Sequence, residues 1–230
     1  MEHRQLIEEF LAQNFPAATI AVVAGSTARG TRTTTSDIDL LVVGDALFES
    51  DEQESLAGVF AFGGEFVEVF AYAPAGFAAW AERGVAEHRP VIVEMLLDGV
   101  EIRGGAALQR LRAQWQPVIA AGPSVTSHEL DLRRYVVTDL LDDLTDATDP
   151  LELQVIAALI FQRTGELMLL DAGRWIGTGK DLVRRLRECD RSRADALAAP
   201  FLAGDLGSFG DRVEHELTRA GGRVRAGFVR

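Results

Sequence analysis

One cysteine, one lysine and two tyrosines are all that 230 residues carry of those types, and each scarcity removes a class of explanation. A single thiol, Cys189, rules out an intrachain disulfide, so nothing here suggests a disulfide-built extracellular domain. Positive charge is also scarce. The 23 Lys and Arg residues face 35 Asp and Glu, and the net charge of −12 opposes broad electrostatic attachment to DNA or RNA, so nucleic acid is not expected as a partner. No apolar run reaches the roughly twenty residues needed to cross a bilayer. The amino terminus MEHRQLIEEF has neither the basic start nor the apolar core of a secretion signal, and a cytoplasmic protein without membrane attachment is expected. His3, His88, His128 and His215 have no mutual spacing that suggests zinc. Apolar residues, by contrast, make up 47% of the chain, enough to build the core of one large domain or two small ones.

The most informative stretch runs from Ala24 to Val43, AGSTARGTRTTTSDIDLLVV. Ala18 to Ala24 is a short, β-branched apolar run that suits a buried strand, and Gly25 and Ser26 end it in a tight turn. Glycine there lets backbone approach a ligand, and residues from Ser26 to Gly30 suit a short helix whose free amides would seat a phosphate. Asp37 and Asp39 flank Ile38 in the next strand, so both carboxylates project to one face while Ile38 and Leu40 project to the other. Two like charges held as neighbours favour a divalent cation between them, and oxygen-only ligands favour Mg²⁺ or Mn²⁺.

Gly25-Ser26, a short gap, Arg29-Gly30, then Ser36-Asp37-Ile38-Asp39-Leu40 resembles the signature of the DNA polymerase β-like nucleotidyltransferase superfamily. Its two-domain bacterial branch, with the antibiotic (aminoglycoside-type) nucleotidyltransferases, is the closest in pattern. The resemblance implies a third carboxylate on a later strand, and GGEFVEVFAYA offers Glu65 and Glu68. Glu68 is the choice, because it sits between Val67 and Val69 in a run of buried-strand composition, whereas Glu65 follows Gly63 and Gly64 in an expected turn. The resemblance makes Asp37, Asp39 and Glu68 the catalytic and metal-binding acids, and leaves open whether Glu68 is a metal ligand or the base for the attacking hydroxyl. Gly25, Ser26, Arg29 and Ser36 become nucleotide-binding candidates. Ser26 either bonds a terminal phosphate or caps the following helix, Arg29 either meets phosphate or is a surface arginine, and Ser36 also suits a role in fixing the turn.

Beyond the motif the order is α/β. An acidic loop from Gly44 to Ser55 precedes the Glu68 strand, Pro74 to His88 reads as helix, Val91 to Leu97 reads as a strand before the turn Asp98-Gly99, and a helix runs from Gly104-Gly105 through Trp115. A boundary falls at 121–127, where Thr126 and Glu129 form a possible capping box. Helices follow over Leu130–Leu144 and Leu151–Leu170, separated by Asp149-Pro150. Lys180, the one lysine, follows Trp175-Ile176-Gly177-Thr178-Gly179. It is not part of a Walker loop, because the spacing of glycines is wrong and Asp181 stands where Ser or Thr is required. It resembles the basic residue that two-domain relatives send to the nucleotide phosphates, and equally reads as a solvated helix start. Asp139, Asp142, Asp143 and Asp146 read as a solvated helix face, with binding of a cationic acceptor as the other reading. Arg184, Arg185 and Arg187 read the same way, with a nucleotide-facing role as the alternative.

The expected architecture is an α/β nucleotidyltransferase domain with a small mixed sheet over residues 1–121, plus an all-α helical bundle over 122–230 that closes on nucleotide and substrate, with the site in the cleft between them. The expected activity is transfer of a nucleoside monophosphate, AMP from ATP, to a hydroxyl of a small acceptor such as an aminoglycoside-like antibiotic, with magnesium and with pyrophosphate released. A protein- or tRNA-modifying enzyme of toxin–antitoxin type and a non-catalytic nucleotide-binding module are the alternatives.

Overall fold

The computed structural model describes residues 3–50, 52–225 and 228–229. Asp51, inside the acidic stretch, lies outside the described residues. The chain divides into two compact units, Met1–Ala121 and Gly122–Arg230.

The first unit is a five-stranded sheet with helices on both faces. Its strands are β1 (Ile20–Val23), β2 (Ile38–Val43), β3 (Ser55–Phe62), β4 (Glu65–Tyr72) and β5 (Val100–Arg103), in spatial order β3-β4-β2-β1-β5. Only β2 and β4 run parallel; the other pairings are antiparallel, so the sheet is mixed. Alternation along each strand separates two cores. Ile38, Leu40 and Val42 of β2 join Val67, Val69 and Ala71 of β4 against Ile7, Phe10 and Leu11 of α1 (Arg4–Asn14). On the other face Leu41, Val43 and Tyr72 pack with Phe77 and Ala81 of α3 (Pro74–Ala86), Val93 and Leu96 of α4 (Val91–Asp98), and Leu108 and Trp115 of α5 (Gly105–Ala121). A single turn of helix, α2 (Gly25–Ala28), fills the junction after β1.

Three local expectations need correction. Val91 to Leu97 is helix, not strand. Its buried residues are Ile92, Val93 and Leu96, a helical spacing that tertiary packing selects over the β-branched composition. The end of that helix is held by Arg112, which donates to the carbonyls of Leu96 (2.9 Å) and Gly99 (2.7 Å). The strand at this point is β5 instead, and a Cβ on Gly99 would overlap the Val22 side chain, so glycine is what lets the chain pass from α4 into it. β3 was not anticipated. It is an edge strand whose exposure rises and falls with period two, joined to β4 through Gly63 and Gly64, both at positive φ, as a tight hairpin turn requires. Glu65 is therefore the first residue of β4 rather than part of a turn, and it is ion-paired with Arg32.

The second unit is helical: α6 (Ser127–Asp146), α7 (Pro150–Asp171), α8 (Lys180–Ala203) and α9 (Leu206–Arg219). Thr126 caps α6 by accepting from the Glu129 amide, and Asp149 caps α7 with Pro150 at its first position. The core gathers Val137 and Leu141, Ile160 and Leu167, Leu182 and Leu197, and Phe209 and Val213 from the four helices. By length and composition α7 is apolar enough to cross a membrane, and half of its apolar window is buried inside this unit, as befits the central helix of a bundle. α8 breaks its helical geometry at Asp190, whose carboxylate then accepts from the Arg193 amide and restarts the helix.

Candidate active site

Three of the expected site residues are set by sheet register. β2 lies parallel to β4 with Asp39 directly opposite Glu68, while Ile38 and Leu40 face the α1 core, as their neighbours Val67 and Val69 do. Asp37 immediately precedes β2 on the face of Asp39. Burial lifts the Glu68 carboxyl above its usual range, and the charges of Asp39 and Asp37, with a hydrogen bond that the protonated Glu68 donates to Asp39, push it the same way. Glu68 is only half-buried, so part of this crowding is relaxed by water. Among the described residues no group of three or more His, Cys, Asp or Glu closes on one point as a ready-made metal cage. The three acids are neighbours, and the donor set is oxygen only, which suits a hard divalent cation.

The Gly25-Ser26 turn meets the Asp39 carboxylate directly. Gly25 has φ +59°, and a Cβ added to it would overlap the Asp39 carboxylate. Both facts demand glycine: the conformation penalises any side chain, and the space belongs to Asp39. The turn is tied to β2 by the Ala24 amide, which donates to the Asp39 carbonyl at 2.9 Å. Ser26 follows, half-buried in the one turn of α2, and Arg29 is exposed at its end.

Between the turn and the acids, residues 31–36 are organised by a residue the sequence reading passed over. Arg32 donates from Nη2 to the Ser36 carbonyl (2.7 Å) and to the Glu65 carboxylate (2.7 Å), and its Nη1 lies 2.6 Å from Nε2 of His3. An arginine donor there makes Nε2 of His3 the acceptor, with the ring proton on Nδ1. The hydrogen bond from Arg32 holds the Glu65 carboxyl below its usual range. One guanidinium thus links the residue before Asp37 to the strand that carries Glu68. Ser36 spends its hydroxyl inside the loop, accepting from the Thr33 amide at 2.9 Å and lying 3.0 Å from the Thr33 hydroxyl. No periodicity marks an arginine among threonines, so nothing in the sequence flagged it.

Lys180 belongs to the helical unit, exposed at the first position of α8 after Gly179 at φ +54°. Its neighbour Asp181 is engaged by Arg184 (2.8 Å) and Arg185 (2.7 Å), and Arg187 pairs with Asp195 (3.0 Å). Asp142 holds Arg223 and Arg225 of the carboxyl-terminal segment at 2.7 Å each.

A Gly-Ser turn thus lies against Asp39, with Asp37 just ahead of the same strand and Glu68 in register beside it. Residues 4–75 match the family model of the nucleotidyltransferase domain. The match takes in Gly25, Ser26, Asp37, Asp39 and Glu68, and it supports nucleotidyl transfer as the general activity of a transferase. Among ten solved chains that match is the crystal structure of a nucleotidyltransferase-like protein from Exiguobacterium sibiricum 255-15. It is 14% identical, with a TM-score of 0.48 over 94% of this chain and 73% of that one. No curated protein matches the chain significantly.

Proposed function

We propose that the chain is a magnesium- or manganese-dependent nucleotidyltransferase that moves a nucleoside monophosphate, AMP from ATP, to a hydroxyl of a small acceptor. The observation that carries this reading is the contact between turn and acid: the backbone at Gly25 lies where only a glycine fits against the Asp39 carboxylate, so phosphate-binding backbone and charge-bearing carboxylates converge.

Asp37, Asp39 and Glu68 would hold the divalent cation. When bound, it supplies positive charge against the phosphates of the nucleotide and relieves the repulsion among the acids. Gly25 lets the turn lie against the Asp39 carboxylate, and its backbone and the hydroxyl of Ser26 would then meet the outer phosphates. Arg29, exposed at the end of α2, would add a cation. The acceptor oxygen attacks the α-phosphorus in line. Its new P–O bond forms as the bond to the β-phosphate oxygen breaks, and pyrophosphate leaves with the electron pair. The acceptor proton passes to Glu68, whose raised pKa suits a base, unless Glu68 serves wholly as a third ligand.

Calorimetric titration of ATP with Mg²⁺, on the native chain and on the Asp37→Asn, Asp39→Asn double variant, tests the reading. Metal-dependent binding lost in the double variant is expected; equal binding in both removes the acids from the site.

A further inference from the structure

The face of the sheet that carries Glu68 does not end at the acids. Two residues further along β4, about 7 Å by strand geometry, the same face presents Phe70 and then Tyr72. The partner strand β3 sets Val59 opposite Glu68 and Ala57 opposite Phe70, and Val59 is 59% exposed. Ala57, Phe70 and Tyr72 of this strip line a cavity of about 460 Å³, within the range of small-molecule sites. Its floor is Ala57, Phe70 and Tyr72, its wall is Trp80 of α3, and its rim carries Arg83, Glu87 and Arg89. Trp80 is 45% exposed, while Trp115 and Trp175 are buried. The Arg83 guanidinium lies over the Trp80 ring at 5.2 Å and donates to Glu87 at 2.9 Å; Arg89 reaches the same carboxylate at 4.0 Å. Two cations therefore share one anion at the rim, and the interior is aromatic.

We propose that this cavity binds a small, planar, apolar molecule bearing an anionic group, and that this molecule is the acceptor. Its binding role stands alone, and its acceptor role rests on the nucleotidyltransferase reading above. The flat body lies against Trp80 and Phe70, the anion faces Arg83 and Arg89, and a hydroxyl at the far end lies toward Glu68. That oxygen bonds to the α-phosphorus, its proton goes to Glu68, and pyrophosphate departs. A rim of two arginines around one glutamate keeps a net positive charge, which does not suit a polycationic, aminoglycoside-like acceptor.

The probe is 6-hydroxy-2-naphthoate, which has a flat body with hydroxyl and carboxylate at opposite ends. Calorimetric titration into the full chain is compared with Trp80→Ala, with the Arg83→Gln, Arg89→Gln double variant, and with Asp37→Asn, Asp39→Asn. Binding that weakens tenfold or more in the first two and is unchanged in the third supports the site. No binding by the native chain, or equal binding in the Trp80 and arginine variants, overturns it. Mass spectrometry after incubation with ATP and Mg²⁺ then reads a nucleotidyl adduct on the naphthol oxygen. Metal-dependent ATP binding with no adduct overturns the acceptor role alone, whereas absence of metal-dependent ATP binding by the native chain overturns the nucleotidyltransferase reading.

Discussion

The two units treat acids withdrawn from solvent in opposite ways, fully buried ones in the helical unit and a half-buried one in the α/β unit. In the helical unit Glu166, 5% exposed, is met by Arg163 (3.0 Å), Arg133 (3.4 Å) and Gln162 (2.9 Å). Glu216, 1% exposed, is bonded by Arg193, with Arg212 and Arg219 within 4.0 Å. In the α/β unit Glu68 is set beside Asp39 and near Asp37, charges of its own sign, and its pKa rises. Arginines that surround a carboxylate make it part of the scaffold. Carboxylates that crowd one another store a repulsion that a bound cation relieves, and that is the mark of a site rather than of a framework.

The sharpest way to break this contrast is to remove one acid from each kind of cluster. Asp39→Asn should cost on the order of a thousand-fold or more in transfer, several kcal/mol of transition-state stabilisation, while the melting midpoint holds or rises. Steady-state turnover and thermal melts of the same preparation check both halves, and retained turnover would contradict the assignment. Glu216→Ala should do the reverse. It removes the buried partner of Arg193, which is itself 20% exposed, and should cost about 3 kcal/mol of stability in urea unfolding, while metal-dependent ATP binding by any chain that stays folded is unchanged.

Gly25→Ala lies between these extremes. The left-handed backbone alone costs about 1 kcal/mol, and displacement of Asp39 should lower transfer on the order of a hundred-fold. A variant with wild-type turnover would show that the Asp39 carboxylate moves aside without consequence.

The smallest effect compares two acids three residues apart on β4. The folded pKa of Glu65 is depressed by Arg32, so its contribution is present above the unfolded value of about 4.3 and is lost as pH falls through the lower folded value. Glu68 has a raised folded pKa, so its ionisation costs stability as pH rises from about 4.3 through the folded value. Urea midpoints in metal-free buffer should show Glu65→Gln flattening the acid limb and Glu68→Gln improving stability at neutral pH. Parallel profiles for the two variants would erase the distinction.

How much was legible in the sequence follows from how local each signal is. Alternation along a strand put Asp37 and Asp39 on one face, a capping box announced α6 at Thr126, and Asp149-Pro150 marked the break before α7, because these depend on neighbours within a few positions. Glu68 was picked by its flanking valines, and the structure adds that it stands in register with Asp39. β3 escaped notice because SLAGVFAF gives weak alternation on an edge strand, and VIVEMLL was misjudged because a short apolar run suits helix and strand alike until its packing partners are known. Arg32 escaped for a third reason. Its partners His3, Ser36 and Glu65 span sixty residues of sequence, and only the folded chain brings them within one guanidinium.

The sequence by itself determined the chemistry available: a glycine-serine turn, two strand acids at matched spacing, a third acid downstream, and a helical second half. Tertiary structure decided which residues meet. The pairing of β2 with β4 set Glu68 against Asp39, the packing of α4 over the sheet overrode its β-branched composition, and the hairpin of β3 and β4 with α3 made the aromatic cavity. Local propensity is a weak preference per residue, and burial of whole faces against one another outweighs it.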